Sequence, residues 1–167
     1  MLGRITIQEH ERGLLFRRGR LVQQLDPGPH WVLGRVEVVS LARRQTRVEI
    51  APALTRVGTP VGVVAVITFR VTDARMAVVD TEDHLEQLQT DARAALARAV
   101  GARTPIELAS TREELEREAE SRLAFAAASY GVHVEDVWLE ELRLPRALRR
   151  AWKRDAATLA PRATTHR

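Results

Sequence analysis

From Val61 to Val71 the chain reads VGVVAVITFRV, placing Val61, Val63, Ala65, Ile67, Phe69 and Val71 at every second position. A period of two is that of a β-strand, whose side chains alternate between the faces of a sheet. Val64 and Val66 make the other face apolar in the middle as well. This strand is therefore expected at the centre of a sheet, covered on both sides, with helices against one of them. Shorter apolar clusters precede it, namely ITIQ (5–8), GLLF (13–16), RLVQQL (20–25), VEVVSL (36–41) and RRQTRVEI (43–50). Arg18-Gly19 stands where a tight reversal would join two of them into a hairpin. Asp26-Pro27-Gly28-Pro29 reads as a rigid loop, because each proline fixes its own φ and offers no N–H to a ladder. That loop presents His30 and Trp31 together.

After Asp73 the period changes to that of helices. Asp73 caps a short segment, ARMAVV (74–79). Thr81 is read as the start of a longer helix in which Leu85, Leu88, Ala92, Ala95, Leu96, Ala99 and Val100 recur every three or four positions until Gly101. Thr104-Pro105 opens another short turn. Ser110 and Glu113 have the spacing of a capping box, and Leu115, Ala119, Leu123, Ala126, Ala127 and Tyr130 form the stripe of the next helix, which Gly131 ends. Val132–Leu144 returns to alternation, with an irregularity expected at Glu135-Asp136 where the apolar phase shifts. Pro145 then starts a terminal helix with Leu148, Trp152 and Leu159 along one side. The predicted fold is α+β: a twisted, mostly antiparallel sheet from the N-terminal half, helices on one face, a last strand near 132–144 and a short basic amphipathic helix. The boundaries expected are one domain over 1–144, the helix over 145–160 and a disordered tail over 161–167.

Composition narrows the chemistry. At 167 residues with 45% hydrophobic and 29% charged content, the chain can bury a core, and 4% aromatic content makes that core aliphatic. No cysteine is present, which removes disulfides, thiolate metal sites and cysteine nucleophiles. The net charge is +4, and Lys153 is the sole lysine among the basic residues. An acidic partner follows: phosphate, a lipid headgroup or an acidic protein. No apolar run suits a signal peptide or the ~20 residues of a spanning helix, so the expected location is cytoplasmic, with membrane contact peripheral at the inner face.

Catalytic patterns are lacking. His10, His30, His84, His133 and His166 fall on different elements with no H-x-x-x-H spacing, and neither G-x-S-x-G nor a phosphate-cradling glycine loop occurs. EELEREAE (113–120) reads as a solvated helix face with Glu113–Arg117 and Glu118–Arg122 at pairing distance. The chain is therefore read as non-enzymatic, with no catalytic, cofactor-binding or metal-ligating residue and no cofactor. Two surfaces remain. Pro27, Pro29, His30, Trp31 and Arg35 form the first; Trp31 either folds back as a lid over one end of the sheet, the simpler reading, or meets a headgroup layer or partner. The second is the basic end, with Arg143, Arg146, Arg149, Arg150, Lys153 and Arg154 and no acid between them, on a helix striped by Leu148 and Trp152. It suits an anionic bilayer or a neighbouring subunit. Nucleic acid ranks low, since no stacking aromatics interleave these cations.

Four blocks, in order, resemble a known family. They are EHERGLLFRRGRLVQQLDPGPHWVL (9–33), LTRVGTPVGVVAVITFRVTDARMAV (54–78), VGARTPIELASTREELEREAESRL (100–123) and GVHVEDVWLEELRLPRALRRAW (131–152). Together they are similar to the SPFH domain, or Band 7, of stomatins, slipins, prohibitins and flotillins, with stomatin or slipin nearest in character. The resemblance implies a mixed α+β domain that forms dimers, trimers or rings, associates with membranes and organises membrane proteins without catalysing a reaction. It also implies, for bacterial members, a membrane-bound partner carrying a small OB-fold domain. The chain departs from the family pattern in opening its domain almost at Met1 with no apolar anchor ahead, in having only Pro145–Leu159 where a long coiled coil is usual, and in the polar Leu33-Gly34-Arg35 turn. The function expected is a stomatin-like, self-associating scaffold for membrane-associated partners. The alternative is a soluble binder of anionic polymer, nucleic acid or acidic protein, through the Arg-rich terminal helix; a third reading is a regulatory module for a neighbouring protease or transporter.

Overall fold

The alternation around Val61–Val71 does form a strand, β7 (Pro60–Val71), which pairs antiparallel on one side with β6 (Arg44–Leu54) and on the other with β8 (Val132–Arg143). The computed structural model of the chain describes residues 3–146. Val61, Val63, Ala65, Ile67, Phe69 and Val71 are each at most 2% exposed, and they share one core with Val48 of β6 and Val137 and Leu139 of β8. Two long helices close that face: α2 (His84–Gly101) packs on β6, and α4 (Arg112–Ala128) packs on α2 and β8. Leu88, Ala92, Leu96, Ala99 and Val100 of α2 and Leu115, Ala119, Leu123 and Ala127 of α4 are the buried positions. Full burial of each large aliphatic chain is worth roughly 1.5–3 kcal/mol, so this face dominates stability.

Helix starts follow local hydrogen-bond chemistry more closely than the apolar stripe. Asp73 caps α1 (Ala74–Val79) as expected, its carboxylate accepting from the Met76 N–H at 3.0 Å. The second helix begins three residues later than predicted. Asp83, not Thr81, is its cap, because one carboxylate oxygen accepts both the Leu85 and Glu86 N–H groups, at 2.8 and 3.2 Å, where an anion also meets the positive end of the helix dipole. The capping box also moves: Thr104 and Glu107 form it at the start of α3 (Pro105–Ser110), while the Ser110 hydroxyl donates back to the carbonyls of Ile106 and Glu107. Ser110 and Glu113 therefore form no box.

The N-terminal half departs from the single sheet predicted. It contains two further antiparallel sheets, β1 (Gly3–Ile7) with β4 (Gly28–Val32), and β3 (Arg20–Leu25) with β2 (Glu11–Arg17) and β5 (Arg35–Ser40). Gly28 and Pro29, read as the end of a rigid loop from Asp26, instead open the strand β4. Pro29 lies opposite Thr6 in a ribbon of two strands, where one edge of each strand bonds to no neighbour and a missing N–H is tolerated. Ile7, Leu15, Leu25 and Val32 make a small second core between these sheets.

β8 carries the expected irregularity. Thr68 pairs with Asp136 and Phe69 with Val134, so Glu135 is left out of the ladder; a second slip, not anticipated, skips Glu140. The bulge at Glu135 puts Val137 and Leu139 on the helix face with Val132 and Val134, and the one at Glu140 keeps Leu142 there too. On the opposite face Val64 is 0% exposed, yet its neighbours are exposed polar residues and the half-exposed Trp138, not a second layer. Two ion pairs span β7 there in opposite senses, Arg47 of β6 to Glu140 of β8 at 2.6 Å and Arg143 of β8 to Glu49 of β6 at 2.5 Å. The Arg143 stem lies over Gly62, whose missing side chain leaves the room. The cover expected over Val64 is thus made by long side chains of the flanking strands.

Gly131 joins three elements. Its carbonyl accepts the N–H groups of Thr72 and Asp73 at 2.9 and 3.1 Å, and with φ at +71° a Cβ would lie 2.5 Å from the Asp73 carbonyl oxygen. Gly131→Ala is expected to cost about 2 kcal/mol, seen as a fall in Tm of about 4–8 °C; an unchanged Tm would contradict this geometry.

Three carboxylates anchor helices with lowered pKa values: Asp83 through the Glu86 and Leu85 N–H groups, Glu107 through the backbone N–H and side chain of Thr104, and Glu118 through the guanidinium of Arg103. Folded values below the unfolded ones mean a contribution that is complete above about pH 4.5 and lost as pH falls through the folded values. Thermal melts should be flat from pH 7 to about 5 and then decline, and Asp83→Ala should shallow that decline while costing about 1 kcal/mol at neutral pH.

Candidate docking surface at the hairpin end

The β2–β3 turn has Arg18 at φ +50° and Gly19 at φ +75°. Two successive left-handed residues fit the right-handed twist of a hairpin, and they set Arg17, Arg18 and Arg20 around an exposed tip. The β4–β5 turn lies against it. Gly34, at φ +144°, approaches β2 so closely that a Cβ would sit 2.4 Å from the Phe16 carbonyl oxygen. Arg17 Nε donates to the Leu33 carbonyl at 2.7 Å and pins the turn from the other side. Between tip, turn and Val78 of α1 lies an open cleft of about 1150 Å³ with Arg17, Arg18, Arg35, Glu37 and Leu33 on its walls. Three guanidiniums face one carboxylate, and Arg35 pairs with Glu37 at 3.2 Å, the arginine side chain largely in water and the glutamate partly exposed, an interaction worth little in that setting.

Against this geometry the predicted surface residues separate. Pro27 and Pro29 are exposed. His30 is half-buried, and its Nε2–H donates to the Asp26 carbonyl at 2.7 Å, closing the turn before β4. Trp31 is 68% exposed. It is no lid: strand alternation sends Val32 into the small core, so Trp31 faces outward. Arg35 lines the cleft. The structure brings it beside Arg17 and Arg18, which the sequence reading treated only as turn residues; their signal was the run RRGR (17–20), in which the arginine before glycine takes a conformation that better suits asparagine.

Of the basic end, Arg146 is exposed, and Leu148, Arg149, Arg150, Trp152, Lys153 and Arg154 lie outside the described residues. Arg143, counted with that end, is instead neutralised on the sheet. Its guanidinium bonds Glu141 and Glu49, and these hydrogen bonds raise its pKa further. Glu141 reaches it from two residues before on the same strand, and Glu49 from β6 across the sheet.

Elsewhere ionisable groups serve packing. The Tyr130 hydroxyl donates to Asp91 at 2.9 Å, tying the end of α4 to α2, and burial together with that carboxylate raises its pKa. Among the described residues no group of three or more His, Cys, Asp or Glu side chains is placed to hold a metal ion, and no helix is long and apolar enough to cross a membrane.

Residues 5–163 match the SPFH domain / Band 7 family. The chain belongs to this family. It is similar to Stomatin-4 of Caenorhabditis elegans, 31% identical over 156 residues that cover 90% of this chain and 56% of that protein. Stomatin-2 of the same nematode is 32% identical over 156 residues, 90% of this chain and 42% of that protein, and mouse Stomatin is 28% identical over 155 residues, 90% and 55%. The SPFH chain thus spans about half the length of the curated relatives it matches. The likeness covers the hairpin, the cleft and the helical layer alike.

Because Trp31 has no core role in this SPFH domain, Trp31→Ser should change the unfolding free energy by no more than about 0.5 kcal/mol in chemical denaturation. A loss of about 3 kcal/mol, typical of a buried aromatic, would show that the ring is covered in solution.

Proposed function

We propose that this SPFH domain is a non-enzymatic scaffold that self-associates, lies against a membrane face and holds membrane-protein partners in place. Family membership over residues 5–163 supports the scaffold class, since the family is one of membrane-associated scaffolds. The observation that carries the membrane-facing part is the corner where exposed Leu33, two residues along the chain from exposed Trp31, lines a cleft walled by Arg17, Arg18 and Arg35. Amphipathic aromatics suit the boundary between headgroups and acyl chains, and a basic residue near an anionic surface contributes about 1 kcal/mol. One such corner binds weakly. Several copies held together bind as a unit, because each contact after the first is intramolecular. The partner is a membrane protein, for which a small OB-fold membrane protein is a candidate by the resemblance of the four sequence blocks.

Sedimentation velocity over a concentration series should show the species growing with concentration; a single monomer throughout would remove self-association from the proposal. In flotation, the chain should rise with vesicles containing anionic lipid at low ionic strength and fall away as salt increases. If it floats with no vesicle composition at any salt, contact with the bilayer is not direct.

A further inference from the structure

We infer that the cleft between the β2–β3 tip and the β4–β5 turn binds the phosphate group of an anionic phospholipid headgroup, a reading that rests on the membrane-facing role proposed above. Guanidinium forks match the oxygens of a phosphate, and several converging on one opening make a site where one would not. Arg17 spends its Nε on the Leu33 carbonyl at 2.7 Å, which fixes its direction and leaves its terminal nitrogens as donors. Arg18 has no hydrogen bond or ion pair among the described residues, and it stands at φ +50°, a conformation strained for an arginine. Turn geometry alone favours asparagine there, so the strain is better explained by what the side chain does than by what the backbone needs. Arg35 is held by Glu37 alone, in water, and can exchange that weak partner for a stronger anion.

What surrounds the cations chooses a lipid over a free phosphate. Leu33 lines the cleft and is 50% exposed, and Trp31, two residues before it, is 68% exposed. Apolar groups flanking a basic opening gain nothing from a soluble ion, whereas at a bilayer they enter the boundary beneath the headgroup that the arginines hold.

The test is flotation of the full chain on vesicles of phosphatidylcholine alone and with added phosphatidylglycerol or phosphatidic acid. Wild type should partition onto the anionic vesicles, and Arg18→Asn and Arg35→Gln should each lower the partition coefficient about fivefold, with the double variant weaker than either but short of their product, since both arginines meet one phosphate. Arg18→Asn suits the left-handed turn, so its folding is preserved, and circular dichroism melts confirm this for both. Arg98→Gln, at the C-terminal end of α2, removes the same charge elsewhere and should leave partitioning within about twofold. Equal flotation of wild type and the cleft variants would overturn the cleft assignment while leaving membrane contact standing. Failure of wild type to float on any vesicle would overturn both. Titration with inorganic phosphate, followed through the amide resonances of residues 17–19 and 33–35, should give no saturable shift; saturation in the submillimolar range would make the ligand a soluble phosphate. Loss of self-association in Arg18→Asn, with flotation unchanged, would assign the cleft to a second copy of the chain instead.

Discussion

The whole arrangement depends on the burial of β7 between two partner strands and beneath two helices. Its helix-facing residues are Val, Ala, Ile and Phe in a row, and each finds cover only if β6 and β8 pair in the observed registers and α2 and α4 lie across them. β8 arrives from more than sixty residues away in sequence, so the loop-closure cost of that pairing falls on the apolar contacts it completes. The bulges at Glu135 and Glu140 are part of the same constraint. Without the first the alternation of β8 would carry Val137 and Leu139 to the wrong face, and without the second Leu142 would follow.

Around this core, polar groups decide where elements begin and how the exposed face is closed. Carboxylates at Asp73, Asp83 and Glu107 satisfy the first N–H groups of α1, α2 and α3. On the far side of the sheet Arg47–Glu140 and Arg143–Glu49 cross β7 and shelter Val64. Neither pair is strong by itself at the surface. Their effect is to seat long hydrocarbon stems over an apolar strand, which turns a face without a second layer into a covered one.

The proposed docking corner is built from the part of the chain that the main core constrains least. Four short strands and two turns meet there, joined by the Gly34–Phe16 approach and the Arg17–Leu33 hydrogen bond. Such a corner can present cations and apolar groups outward because the burden of stability lies in the β6–β7–β8 layer. This is the division expected of a scaffold domain, with a rigid body for assembly and a separate edge for docking.

From the sequence alone came the central strand, the hairpin at Arg18-Gly19, the two long helical stripes, the irregularity at Glu135 and the SPFH resemblance. Each rests on a pattern of neighbours a few positions apart, and local periodicity and turn chemistry act at that range. Tertiary structure decided what depends on distant partners. The proline of β4 was compatible with a strand only because β1 is its single neighbour, the cap of α2 fell to the better acceptor, and Arg143 met Glu49 across the strands. Trp31 looked like a lid from its place after a rigid loop, but the choice of Val32 for the small core turned it outward. Arg17, Arg18 and Arg35 are scattered charges in the chain; only folding two turns against each other brings them to one cleft, since what lies together on a surface is a property of distances in space.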